Sequence, residues 1–147
     1  MLSLRDAEQI IDGTLAKARA EGFERLCVVV LDSGAHVIAL KREDGAGFFR
    51  ATIATAKATG ALGMGFESRE IARRTAASPA FYGALSAMTG GMIAPSPGAL
   101  LIRAADGTVL GAVGVSGDTG DNDEICASAG LRAAGLLPEL RSRGGPK

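Results

Sequence analysis

The stretch Leu26-Cys27-Val28-Val29-Val30-Leu31, followed by Asp32-Ser33-Gly34-Ala35 and then His36-Val37-Ile38-Ala39-Leu40-Lys41, decides the fold. Its first six residues are apolar, rich in β-branched side chains and free of polar alternation. That is the pattern of a strand buried on both faces. The next four are turn formers, and His36 to Lys41 reads as the strand that returns. A second hairpin follows downstream, from Ala99 to Arg103, through a turn at Asp106-Gly107, to Val109–Ser116. Gly111 and Gly114 inside its last strand predict a bulge or the close approach of another backbone.

Working outward, Leu4, Ala7, Ile10, Ile11, Leu15 and Ala18 recur at helical spacing behind a Ser3/Asp6 capping box, with Gly22 as the stop. From Phe48 to about Met64 a helix carries small residues along one side, at Ala51, Ala54, Thr55, Ala58 and Ala61. Such a stripe lets a sheet or a second subunit come close. Ser68 is read as the cap of a short helix containing Ile71 and Ala72. Ser78-Pro79 opens another helix through Leu85. Thr89 to Gly98, with Pro95-Ser96-Pro97 at its centre, reads as an ordered loop. Asp121 and Glu124 read as a capping box for a last helix through Leu136, ended by Pro138, with residues 139–147 a frayed tail. The order is therefore α-β-β-α-α-α-β-β-α. This is an α+β fold with an antiparallel sheet built from two hairpins and helices packed against it, not a Rossmann fold. Residues 1–138 form a single domain in this reading.

Composition narrows the function. The 147 residues are 47% hydrophobic and 22% charged, with 16 basic and 16 acidic side chains and no net charge. That balance leaves no electrostatic footprint for nucleic acid or an anionic membrane surface. No apolar run approaches the roughly 20 residues that cross a bilayer. The N-terminus shows no basic segment followed by an apolar one, so no signal peptide is expected. Cys27 and Cys126 lack metal-ligand spacing and read as reduced thiols of a cytoplasmic protein. A near-neutral, apolar surface predicts a homo-oligomer.

His36 is the single histidine and the one side chain that titrates near neutrality without help. It could ligate haem iron or act as a general base, and it equally fits an exposed residue after a turn. Asp118, Asp121, Asp123 and Glu124 form an acidic cluster. Their spacing does not match a calcium loop, and two of them are assigned to capping, so no metal site is read there. Gly114-Val115-Ser116-Gly117-Asp118-Thr119-Gly120 lies between strand and helix, where backbone N–H groups can meet an anion. It lacks the Lys or Arg of a phosphate loop, which leaves a small carboxylate, a cofactor propionate or a plain tight turn. Arg42, Arg50, Arg69, Arg73 and Arg74 could line a site for an acidic ligand, with Arg69 and Arg73 sharing a helix face. Ser116 sits in no nucleophile motif.

Four stretches together carry a resemblance: Val28–Val37, Lys41–Ala46, Asp106–Gly117 and Asp123–Leu131. In that order and spacing the chain resembles the GlcG/HbpS-like family, the haem-degrading domain family that includes the C-terminal domain of PduO. The resemblance runs from about Leu4 to Leu137. It implies an antiparallel sheet flanked by helices, assembled as dimers or larger rings, with haem or a related tetrapyrrole as ligand and cofactor. Relatives often carry a Pro-Gly-Gly-x-Pro turn where this chain has Ser96-Pro97-Gly98-Ala99-Leu100-Leu101. Some draw the iron ligand from a histidine of the first helix, which this chain lacks. The ligand would then be His36, Tyr82, Met88, Met92 or a cysteine.

The leading expectation is a small-molecule-binding protein of this type. His36, the Thr89–Gly98 loop and the Gly117–Asp121 turn would line its pocket. The alternative is a cofactor-independent lyase or isomerase acting on a small aromatic or hydroxy carboxylic acid. There Arg42, Arg69 and Arg73 would hold the acid, backbone amides at Gly117 and Asp118 would polarise it, and His36 or Asp123 would move a proton. A structural or regulatory oligomer without a ligand is the third.

Overall fold

A computed structural model describes residues 1–136, and its nine elements follow the expected order. They are α1 (Leu4–Glu21), β1 (Cys27–Asp32), β2 (Val37–Arg42), α2 (Phe49–Met64), α3 (Ser68–Ala77), α4 (Pro79–Met88), β3 (Ala99–Arg103), β4 (Val109–Ser116) and α5 (Gly120–Ala133). The strands form one antiparallel sheet in the order β2-β1-β4-β3. Both hairpins are present, and β4 of the second pairs with β1 of the first. Pro138 and the expected tail lie outside the described residues. Among the described residues no helix is long and apolar enough to cross a membrane.

Period-two alternation sorts the sheet onto two cores. Val28, Val30, Val113 and Val115 pack with Ile10 and Ile11 of α1 and with Cys126 and Leu131 of α5. Val29, Leu31, Leu101 and Ala112 pack with Ala54, Ala58 and Ala61 of α2. The sheet is thus covered on both faces, as the apolar run of β1 requires. The small stripe of α2 serves sheet packing. A Cβ on Gly114 would stand 2.1 Å from the Ala54 carbonyl oxygen, so only glycine lets α2 settle this close. The other glycine lies beside a bulge, because Ile102 faces Gly111 whereas Arg103 faces Val109.

The Ser3/Asp6 capping box forms as read, and Gly22 ends α1 in the left-handed conformation. Two other caps differ. Ser68 does not cap α3: Glu67 holds the N-cap position, and the buried Ser68 hydroxyl accepts from Ala99 N at 2.8 Å. Glu67 accepts from Leu101 N at 2.5 Å. These two side chains satisfy the outer N–H groups of β3, an edge strand, and that demand outranks local capping. Thr119, not Asp121, caps α5, accepting from Asn122 N. The capping-box pair Asp121 and Glu124 is drawn instead to Arg69. Helix α5 stops at Ala133, because Gly135 takes a positive φ of 76° just beyond it.

Candidate functional site

The sheet register decides which expected site residues can meet. Cys27 at the start of β1 pairs with both Arg42 and Ser116, whereas Asp32 at its end pairs with Gly111. Arg42, Gly98, Gly117, Asp118 and Asp123 therefore belong to one end of the sheet. His36 belongs to the other, about 17 Å away at a rise of about 3.3 Å per residue.

At the first end, Lys57 and Asp123 form a buried ion pair. Lys57 Nζ donates to Asp123 Oδ2 at 3.0 Å and to the Val115 carbonyl at 2.9 Å, with side chains only 3% and 1% exposed. Asp123 Oδ1 accepts from Asp118 N at 2.9 Å. Burial lowers the Lys57 amine from its usual range and raises the Asp123 carboxyl, and their mutual attraction opposes both shifts. Gly98 closes over the pair at a φ of +131°. A Cβ there would stand 2.8 Å from both Lys57 Nζ and the Val115 oxygen. Gly117 is equally confined, with a Cβ position 2.2 Å from the Arg25 carbonyl oxygen.

Asp118 ties this turn to the chain after α1. Its carboxylate accepts from Glu24 N, Thr119 N and Asn122 Nδ2, bonds that hold it below the usual carboxylate range. Arg69 reaches from α3 to Asp121 and Glu124 of α5, and Arg73 pairs with Glu70 on its own helix. Arg42 Nη1 donates to the Ala46 carbonyl at 3.0 Å, and Arg50 Nη1 lies 3.4 Å from Ser116 Oγ.

At the opposite end His36 projects from the β1–β2 turn with its side chain 83% exposed. Asp32 Oδ1 accepts from the backbone N–H groups of Gly34 and His36 and lies 3.3 Å from His36 Nδ1. This arrangement places the Asp32 carboxylate beside Nδ1 of the ring, the second-partner position seen at many metal-bound histidines. Among the other donors considered for iron, Cys27 and Cys126 are buried, with thiols pushed up to about 11 by desolvation. Tyr82 is buried edge-on to Phe81, while Met88 and Met92 are exposed. Of these donors only His36, Met88 and Met92 reach the surface.

Lys57 and Glu67 escaped the sequence reading. Lys57 had a visible signal, since a cation among Ala54, Ala58 and Ala61 interrupts an otherwise apolar face. Glu67 had none, because its partner is a strand edge 34 residues away.

A family model described as haem degrading protein, HbpS-like, matches residues 2–132. No curated protein matches the chain. Among solved structures, Klebsiella pneumoniae protein ORFY is 26% identical, with 92% of each chain covered and a TM-score of 0.83. A double mutant of Streptomyces reticuli HbpS is 26% identical over 89% of this chain and 85% of that one, with a TM-score of 0.76. A structure described as a PduOC:heme complex shares the fold at 23% identity over 90% and 94% of the two chains, with a TM-score of 0.80.

Proposed function

This chain belongs to the HbpS-like family, and from that premise we propose that it is a haem- or tetrapyrrole-binding protein. The observation that carries the reading is His36, exposed at a β-turn with the Asp32 carboxylate beside its Nδ1. The fold shared with a haem complex supports the same ligand class. Haem, when bound, supplies a redox-active iron on a planar conjugated ring. His36 would supply the iron ligand through Nε2, with the Asp32 carboxylate beside Nδ1. Asp123, the proton carrier of the enzymatic alternative, has both carboxylate oxygens engaged in buried contacts, which favours binding over catalysis.

Self-association belongs to the same reading. Helix α4 carries no charged side chain and exposes Phe81 and Met88, an apolar surface that a second copy would cover. With both cysteines buried as free thiols, a reducing cytoplasmic setting fits the chain.

An absorption titration with hemin, with albumin as the control for non-specific uptake, tests the proposal. A saturable, near-stoichiometric Soret shift that His36→Ala alters is the expected result. Weak, non-saturating adsorption, or a spectrum indifferent to His36→Ala, would overturn it.

A further inference from the structure

The two edges of the sheet are finished differently. At β3 the outward N–H groups of Ala99 and Leu101 are taken by the Ser68 hydroxyl and the Glu67 carboxylate. The open side of β2 has no such cover. Glu43 N donates to the Leu26 carbonyl, so antiparallel alternation turns Lys41 and Ala39 inward to β1 and Leu40 and Arg42 outward. Among the described residues no other strand or loop pairs with that outward side.

One face beside this edge is apolar. Leu40 pairs with Val29 and Val37 with Leu31, and both partners belong to the core beneath α2. The irregular register between Val30 and Leu31 keeps Val37 in that row. Helix α2 packs mainly on β4, β1 and β3, so Val37 and Leu40 stay exposed where its cover ends. Phe48 and Phe49 stand exposed at the start of the same helix, with their rings 4.5 Å apart. Free edges of this kind are ordinarily blunted.

Charge is unbalanced at the Arg42 end. Arg42, paired with Cys27, donates to the Ala46 carbonyl, and Arg50 lies in the first turn of α2. Neither meets a carboxylate among the described residues, whereas Arg19, Arg25, Arg69, Arg73 and Arg74 each do. Lys41, on the opposite face, is already paired with Asp12 of α1.

We propose that the β2 edge takes an extended acidic segment of a partner protein as an added strand. The segment runs antiparallel to β2 and exchanges main-chain hydrogen bonds with Leu40 and Arg42. Its alternate apolar side chains lie on Leu40 and Val37, and a Glu or Asp at its start meets Arg42. Main-chain bonds supply affinity in this mode of recognition, and the alternate side chains supply specificity. A second copy of β2 is a poorer occupant. In the registers that set Leu40 against Leu40 or Ile38, Arg42 meets Ile38 or His36 of the other copy, not a carboxylate. The surface requires neither iron ligation by His36 nor the α4 contact, so it does not rest on the tetrapyrrole reading.

Fluorescence anisotropy of the full chain with a labelled peptide, Glu-Thr-Val-Thr-Val-Thr, tests it. One control peptide carries Lys in place of Glu. The other is N-methylated at its first Val, which removes a strand hydrogen bond and keeps every side chain. Saturable binding of the acidic peptide is expected, with each control weaker by roughly tenfold or more. Arg42→Glu should reverse the preference between the Glu and Lys peptides. Should that variant fail to fold by circular dichroism, Leu40→Asp should weaken the acidic peptide by a similar factor. No saturable binding, an N-methylated peptide that binds equally, or a folded variant with unchanged affinities would each overturn the surface. So would a parent dimer that Leu40→Asp converts to monomer in sedimentation, since the edge would then belong to a second copy.

Discussion

Lys57 Nζ lies 3.0 Å from Asp123 Oδ2 in the interior, and this pair joins α2 to α5 across the last residues of β4. A buried pair gains little over an apolar substitute, but breaking it strands a charge. Lys57→Met should therefore cost about 3–5 kcal/mol in urea unfolding at pH 8. The double variant Lys57→Met/Asp123→Asn leaves no charge and keeps an acceptor for Asp118 N, so it should be more stable than Lys57→Met alone. Without Lys57 the Asp123 carboxyl takes up a proton more readily, so the cost should shrink at pH 5. Additive losses at all pH values would show that the two side chains act independently.

Glu67 gives a second pH effect. Desolvation pushes its carboxyl from 4.5 to about 7, against the opposing Leu101 N–H bond and the Arg103 charge, while Glu124 pushes it further up. A carboxyl whose pKa is raised in the folded state stabilises the fold below its unfolded value, and that contribution is lost as pH rises through about 4.5 to 7. Glu67→Gln stays neutral and keeps an acceptor for Leu101 N. Unfolding midpoints measured from pH 4.5 to 8 should fall less steeply for Glu67→Gln than for the parent chain. Parallel pH profiles would refute the assignment.

Two glycine substitutions should act in opposite directions. Gly114→Ala drives a methyl into the Ala54 carbonyl and should cost about 2–3 kcal/mol. Gly83, inside α4, has open space around its Cβ position, so Gly83→Ala should stabilise by about 0.5–1 kcal/mol through helix propensity and the unfolded state. Chemical denaturation of both variants measures the contrast.

Sedimentation velocity checks self-association. The chain should sediment as a dimer or larger, and Phe81→Asp, placing a charge on the exposed face of α4, should shift it towards monomer without altering circular dichroism. A monomeric parent chain at every concentration would remove α4 as a subunit contact.

The first capping box shows how far the chain is legible. Ser3 and Asp6 bond as their spacing says, because both partners lie within one turn. The same logic named Ser68 and Asp121 as caps, and both went elsewhere: Ser68 to a strand edge 31 residues away, and Asp121 to Arg69 on another helix. Of the expected site residues, Gly98, Gly117, Asp118 and Asp123 do share one neighbourhood. What the chain order hid is that His36 does not. Both hairpins were readable, but the antiparallel pairing of β1 with β4 was not, and that pairing sets His36 and Gly117 at opposite ends.

By itself the sequence determined the elements, their order, the antiparallel hairpins and the family, because turns, helical periodicity and strand runs are written within a few residues of one another. Tertiary structure alone decided the partners of the buried charged groups. Lys57 finds Asp123 across 66 positions and Glu67 finds Leu101 across 34. The physical reason is that a buried charge or an unpaired strand N–H must be satisfied by whatever the packed layers bring within about 3 Å, and no local spacing encodes that distance.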